Sequence, residues 1–135
     1  MANITSVSDK REIGINSFFS KVGFYISLLK PRVMSLSIFT SFVGMIIAPG
    51  FITIYEGALI ILAISIGSGA SGALNMWYER KTDLLMERTK DRVLPKGLIS
   101  SNGALIFGIT LSVFSIYLLY YVANFLSASI LLVTI

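Results

Sequence analysis

The sequence predicts an all-α protein, a multi-pass bundle of transmembrane helices. Of its 135 residues, 55% are hydrophobic and only 13% are charged, whereas soluble domains keep about a quarter of their residues charged. The apolar residues form runs close to bilayer length, separated by short polar segments. A water-soluble fold is therefore disfavoured.

The residue types that are missing limit the chemistry. The chain has no cysteine and no histidine, which excludes disulfides, thiolate metal sites and the usual neutral-pH proton shuttle. The net charge of +4 does not predict a nucleic-acid partner, because the cations are concentrated beside the apolar runs. Any chemistry has to use carboxylates, amides, Arg, Lys, Tyr or a bound metal ion.

The N-terminal region divides into two predicted parts. Residues 1–16 are polar and are predicted to be a disordered leader. Residues 17–30 form an amphipathic pattern, which predicts a helix lying in the membrane interface. Pro31 then breaks or kinks the chain. The apolar face of this helix comprises Phe18, Phe19, Val22, Tyr25, Ile26 and Leu29.

Four apolar runs follow, and we interpret them as membrane spans. They cover residues 33–48, 55–77, 103–122 and 125–135. From residue 97 to the end there is no charged side chain, and one straight helix over that length would measure about 58 Å, nearly twice the hydrocarbon thickness. A turn near 123–124 is therefore expected. The last span stops early, so the sequence is expected to be a truncated copy.

The cations predict the orientation of the bundle. Five precede the first span and six follow the second, whereas the connection between those spans has none. Under the positive-inside rule, the N-terminus and the loop 78–102 face the cytoplasm. The basic residues are Lys10, Arg11, Lys21, Lys30 and Arg32, and then Arg80, Lys81, Arg88, Lys90, Arg92 and Lys96.

Three oxygen-bearing side chains recur every four residues at the end of the second span. Asn75, Glu79 and Asp83 share one broad helical face, and oxygen ligands of this kind suit a hard divalent cation such as Mg²⁺. Asn75 and Asp83 lie about 12 Å apart along an ideal helix, so one ion cannot bind all three directly. The spacing suits a metal-bridged phosphate better than an all-protein site.

Three cations follow, again four residues apart. Arg88, Arg92 and Lys96 could bind phosphate oxygens, and arginine does so with two hydrogen bonds at once. The alternative is an ordinary loop stabilised by ion pairs between neighbouring residues, which needs no function. On spacing alone both interpretations stay open.

Two neighbouring motifs have structural and functional interpretations. The run from Gly67 to Ala73 lacks the lysine of a nucleotide-binding loop, and its small residues four apart favour close helix packing. Trp77 and Tyr78 could face a carbocation, although a position in the interfacial aromatic belt is favoured.

Three stretches resemble the UbiA superfamily of intramembrane prenyltransferases. They read KPRVMSLSIFTSFVGMIIAPG (residues 30–50), GASGALNMWYERKTDLLMERT (residues 69–89) and LPKG (residues 94–97). Within that superfamily they are most similar to the branch that farnesylates haem B. The similarity runs from about residue 25 to the end, so residues 17–135 are interpreted as the N-terminal part of a nine-helix UbiA-type domain.

The resemblance implies a site and a reaction. Asn75, Glu79 and Asp83 match the family's acidic motif and would bind Mg²⁺ and the diphosphate of farnesyl diphosphate. Arg88 and Arg92 would neutralise the leaving diphosphate, with Lys96 as a further ligand. The allylic cation would then alkylate a vinyl group of haem B, a substrate rather than a cofactor, and water would complete haem O.

Three departures from the family pattern affect these expectations. Glu79 replaces the usual aspartate, which predicts weaker metal binding, and Val93 replaces a frequent proline. A second acidic motif, found in the C-terminal half of relatives, is missing here. Little activity is therefore expected without a separately encoded C-terminal half as a partner. The alternatives to haem B farnesylation are prenyl transfer to another acceptor, such as a quinone precursor, or no catalysis at all, in a membrane fragment. The expected location is the bacterial inner membrane.

Overall fold

The computed structural model describes residues 20–135, which form five α-helices. No strand occurs in this range, so the prediction of an all-α membrane protein is confirmed for it. The predicted leader 1–16 and the first residues of the predicted amphipathic helix lie outside the described residues. The helices are α1 (Ser20–Leu28), α2 (Pro31–Ile47), α3 (Ile54–Asp83), α4 (Ser101–Val122) and α5 (Phe125–Thr134).

Two of the described helices are long and apolar enough to cross a membrane alone, namely α3 with 30 residues and α4 with 22. Helices α1 and α2 are joined at a bend of 54°, and taken together as a pair they are also long and apolar enough to cross a membrane. Helix α5 is apolar but has only 10 residues. The described residues therefore contain two or three membrane-length segments.

Helix α3 continues beyond the predicted end of its span. The predicted span stops at Trp77 and the predicted polar loop begins at residue 78, and the helix itself extends to Asp83. Polarity ends a membrane span without ending a helix, and Arg80 and Lys81 in the last turn interact favourably with the helix dipole. Asn75, Glu79 and Asp83 consequently do lie on one helix.

Helix α3 is the centre of the bundle and packs against α2, α4 and α5. Its small residues allow these close contacts, as their spacing predicts. A Cβ atom added at Gly67 would lie 2.9 Å from Leu131 Cδ1 of α5. Ala70 and Ala73 are fully buried. The run of small residues is therefore a packing surface.

The bend between α1 and α2 packs directly on α3. Lys30 sits at the bend with φ 51° and ψ 66°, in the left-handed region. A Cβ atom added at Gly72 would lie 3.2 Å from the Leu29 carbonyl oxygen and 3.3 Å from that of Leu28. Since the neighbouring atoms are backbone, only glycine lets the bend approach so closely.

A buried cluster fixes the segment that connects α3 to α4. Leu94 and Ile99 of this segment pack with Leu28, Ala73 and Met76. The segment is built of turns, yet these two side chains hold it against the ends of α1, α3 and α4. The polar residues of this connecting segment are thereby kept close to the end of α3.

A reciprocal cap begins α3. The Thr53 hydroxyl oxygen accepts a hydrogen bond from the Glu56 backbone N–H at 3.3 Å, and the Thr53 backbone N–H donates to Glu56 Oε2 at 3.0 Å. The pair satisfies two backbone groups that a helix start otherwise leaves open.

Replacing Thr53 with alanine is expected to destabilise the first turn of α3 by about 1 kcal/mol, the usual cost of losing a helix cap. Faster hydrogen exchange at the first amides of α3 would report this. Thr40→Ala is the matched control, because the Thr40 hydroxyl only donates to carbonyls within its own helix. Equal exchange in both variants would contradict a role for the cap.

Candidate functional site

Asn75 and Glu79 contact each other one turn apart on α3. The Asn75 Nδ2 donates a hydrogen bond to Glu79 Oε2 at 3.1 Å. Asn75 is exposed and Glu79 is half-buried. Asn75 Oδ1 and the second Glu79 oxygen take no part in this contact, so an amide and a carboxylate on neighbouring turns each keep an oxygen acceptor.

Asp83 is the last residue of α3 and is buried, with 3% of its surface exposed. Both of its carboxylate oxygens accept hydrogen bonds from Arg92 Nη1, at 2.9 and 2.8 Å. The same nitrogen lies 3.8 Å from Glu79 Oε2. Arg92 therefore joins Asp83 to Glu79, and through it to Asn75. We call these four side chains the polar row.

Local contacts hold Arg92 in this position. Thr89 is buried, and its hydroxyl donates to the Asp83 carbonyl oxygen at 3.1 Å. The Arg92 backbone N–H in turn donates to the Thr89 carbonyl oxygen at 3.0 Å. The turn after α3 is thus fastened to the last helical residue, and it carries Arg92 back alongside α3.

The predicted row of cations does not form as a row. Residues 84–100 are turns rather than a helix, so the spacing of four does not put Arg88, Arg92 and Lys96 on one face. Arg88 is exposed, and Lys96 Nζ pairs with Asp91 Oδ1 at 3.1 Å. Of the three, only Arg92 contacts the carboxylates of α3.

The donor atoms fit Mg²⁺ only in part. Within residues 20–135, no three His, Cys, Asp or Glu side chains converge closely enough to hold a metal ion. Asn75 and Glu79 offer hard oxygen ligands, whereas Asp83 has both oxygens on Arg92. Mg²⁺ usually takes one or two carboxylates, with waters and substrate phosphates completing the shell. The polar row suits that arrangement, and the three-residue metal site stays a prediction.

An arginine and a tryptophan on α3 form a contact that the sequence analysis missed. The Arg80 guanidinium lies 4.6 Å from the centre of the Trp77 ring, and its Nη1 donates to the Trp77 carbonyl oxygen at 2.6 Å. Trp77 also packs against the buried cluster around Met76, whereas Tyr78 is 79% exposed. The only available signal was the three-residue spacing of Trp77 and Arg80 on a helix. One face of the Trp77 ring is therefore already in contact with the Arg80 guanidinium.

A cavity of about 390 Å³ opens beside Asn75, which is the one predicted site residue in its wall. Lys30 and the serines Ser37, Ser68 and Ser71 also line it. A second cavity, of about 540 Å³ and mostly apolar, shares Ile64, Leu131 and Thr134 with the first. The two cavities follow one another along α2, α3 and α5, starting beside Asn75, and we call this pair of adjacent cavities the trough.

Comparison with known proteins gives one consistent family. The profile described as "UbiA prenyltransferase family" matches residues 37–135. A curated protein of Brucella anthropi is 50% identical over 111 residues, covering 82% of this chain and 36% of its own length. One from Rhizobium johnstonii is 52% identical over 111 residues, covering 82% and 35%.

A third relative, from Agrobacterium fabrum, is 47% identical over 135 residues, covering 98% of this chain and 43% of its own. All three are named protoheme IX farnesyltransferase. This chain therefore spans about two fifths or less of the length of these relatives. No solved structure gives a significant match. The profile match over most of the chain and these identities establish that the chain belongs to the UbiA prenyltransferase family.

Proposed function

We propose that this chain binds the diphosphate of farnesyl diphosphate, with Mg²⁺, and takes part in farnesyl transfer to haem B. The observation that carries the proposal is the polar row. An amide, two carboxylates and an arginine are in contact at one end of α3, beside the mouth of a largely apolar trough. The name shared by the relatives, protoheme IX farnesyltransferase, supports haem B as the acceptor.

Arg92 is the residue with the clearest role in leaving-group chemistry. As the bond between the farnesyl carbon and the diphosphate oxygen breaks, negative charge builds up on the diphosphate. A guanidinium beside that oxygen stabilises the charge, and it stays protonated throughout. Arg92 is already held by Asp83 at 2.8 Å, so little reorganisation is needed when the ligand arrives.

Asn75 and Glu79 would hold the metal ion. These two residues supply two oxygen ligands, and the remaining coordination positions of the ion would be filled by diphosphate oxygens, water and groups outside residues 20–135. When bound, Mg²⁺ neutralises phosphate charge and polarises the bond to the leaving group. Arg88 and Lys96 stay proposed diphosphate ligands, although Lys96 would first have to leave Asp91.

The trough provides a place for the prenyl chain. Its walls in the second cavity are mainly apolar, including Ile60, Ile64, Leu119 and Leu131. Burying a hydrocarbon chain there is favourable by about 25 cal/mol for each Å² removed from water. The diphosphate at Asn75 and the prenyl chain would then occupy adjacent cavities.

The location of the site follows from the basic segments. Arg80, Lys81 and the cations after α3 flank the same membrane edge as the polar row. Under the positive-inside rule this edge faces the cytoplasm, in the inner membrane of a bacterial cell. Farnesyl diphosphate would therefore reach the site from the cytoplasmic side.

Binding of a non-hydrolysable farnesyl diphosphate analogue by the chain in lipid nanodiscs tests this function. We expect Mg²⁺-dependent binding, and Glu79→Gln should raise the Mg²⁺ concentration for half-maximal binding about tenfold, as expected for losing a charged ligand. Glu87→Gln is the matched control, because Glu87 is 93% exposed and contacts only Lys90.

The acceptor is tested in membranes that contain the chain, alone and together with the C-terminal two thirds of a relative. Haem B or an aromatic acid is supplied with farnesyl diphosphate, and products are identified by mass spectrometry. Haem O formation that Glu79→Gln suppresses would support the proposal. If only the aromatic acid is prenylated, the acceptor is not haem B. If the analogue shows no Mg²⁺-dependent binding to the chain, either alone or together with the C-terminal two thirds of a relative, the proposal is overturned.

A further inference from the structure

Lys30 has an unusual backbone conformation. It is the only non-glycine residue among residues 20–135 with a positive φ. A side chain at Cβ makes this left-handed conformation unfavourable, and long residues rarely adopt it. Such residues persist where the surrounding structure imposes them, and they are frequent at ligand sites. The function proposed above does not use Lys30.

The packing of the bend explains how Lys30 is held. The carbonyl groups of Leu28 and Leu29 press against Gly72 of α3, and Leu28 is fully buried. Gly72 lies one helical turn before Asn75. Docking of the bend at Gly72 thus fixes Lys30 next to the Asn75 end of the polar row.

The cavity wall beside Lys30 includes Ile135, the last residue of the sequence, and no acidic side chain. Lys30 and Asn75 both line this cavity. Within the described part of the chain, Lys30 forms no ion pair. Lys30 is half-buried as a residue, and a partly buried cation is favourable where water or an anion reaches its ammonium. The cavity beside Asn75 is where an anion would reach it.

We propose that Lys30 binds the diphosphate at the Asn75 end of the polar row, while Arg92 binds it at the Asp83 end. The inference rests on the proposed function and adds a ligand contributed by the bend between α1 and α2. The two cations would then approach the anion from different elements of the fold. The strained backbone at Lys30 is the conformation that presents the ammonium to the cavity.

Four variants test this role in the full chain, with the farnesyl diphosphate analogue as the probe. Lys30→Asn and Lys30→Gly both accept the left-handed conformation but lack the charge. Each is expected to weaken binding about tenfold, the effect of losing one charge-assisted hydrogen bond. Lys30→Arg should bind within a few fold of the original. Lys21→Asn, which removes a cation outside the cavity wall, should leave binding unchanged.

Thermal unfolding separates this role from a purely structural one. Lys30→Gly relieves the backbone strain, so we expect it to unfold at a higher temperature while it binds more weakly. A glycine variant that binds as tightly as the original, while Arg92→Ala loses binding, would overturn the role of Lys30 and leave the proposed function standing. If neither the original chain nor any variant binds the analogue, either alone or together with the C-terminal two thirds of a relative, both proposals fail.

Discussion

Asp83→Asn is expected to reduce binding of the farnesyl diphosphate analogue more than tenfold and to destabilise the fold by about 3 kcal/mol. The substitution leaves Arg92 with a neutral partner at a site where the Asp83 side chain is 4% exposed and that of Arg92 is 28% exposed. Removing one member of a buried ion pair leaves the other charge poorly compensated, here with only Glu79 at 3.8 Å, which accounts for the loss of stability. Thermal unfolding and analogue titration measure the two effects.

Asp91→Asn is the matched control for this prediction. Asp91 pairs with Lys96 at a similar distance, but their side chains are 69% and 49% exposed. Exposed pairs contribute about 0–1 kcal/mol, so this variant should unfold almost like the original. Equal effects of Asp83→Asn and Asp91→Asn would show that burial of the Asp83 pair has no energetic consequence.

A double-mutant cycle distinguishes the two possible roles of Asp83. If Asp83 mainly positions Arg92, then Asp83→Asn and Arg92→Ala should not be additive, because the second change removes a contact already lost. If Asp83 binds the metal ion directly, its loss should also raise the Mg²⁺ requirement in the Arg92→Ala background. Both Asp83 oxygens accept from Arg92, which leads us to expect the first result.

Gly72→Val is expected to destabilise the bundle by at least about 2 kcal/mol, within the range for overpacking. Its Cβ would meet the carbonyl oxygens of Leu28 and Leu29, which are backbone atoms and cannot turn away as a side chain can. The bend between α1 and α2 would have to move off α3. Loss of thermal stability, together with weaker analogue binding, measures the change.

Gly44→Ala, in α2, is expected to have the opposite effect on stability. Nothing lies within 4 Å of a Cβ atom added at Gly44, so alanine should stabilise the helix by up to about 1 kcal/mol through its higher helix propensity. A bundle that tolerates valine at Gly72 as well as alanine at Gly44 would contradict the close contact between the bend and α3.

The helical framework could be predicted from hydropathy, because membrane-length apolar runs have few alternatives. Asn124 begins α5 with a side-chain cap, its Oδ1 accepting from the Ser127 backbone N–H at 2.8 Å, in agreement with the predicted turn there. The predicted membrane span ends at Trp77, and helix α3 continues six residues further, to Asp83. Hydropathy reports the edge of the membrane, and helices regularly continue past it.

The candidate site was only partly predictable. The spacing of Asn75, Glu79 and Asp83 placed them together because one helix carries all three. The same argument failed for Arg88 and Lys96, since helical spacing has no meaning within turns. The contact between Arg92 and Asp83 depends on how the chain reverses after α3, which no periodicity in the sequence encodes.

Lys30 could not have been identified from the sequence as part of the cavity. Its position depends on contact between the bend and Gly72, which is 42 residues further along the chain, and on a backbone angle that no neighbouring residue requires. Pro31 signals a break in the helix, but it does not fix the direction that the chain takes.

The ion pair between Asp83 and Arg92 joins residues only nine positions apart. Loops of about ten residues close within roughly 10–100 ns, far faster than a ribosome adds the residues of the following helix at about 5–20 per second. The pair can therefore form while α4 is still being synthesised. In a nascent chain the Asp83 carboxylate at the end of α3 would then already be paired before the later helices assemble around it.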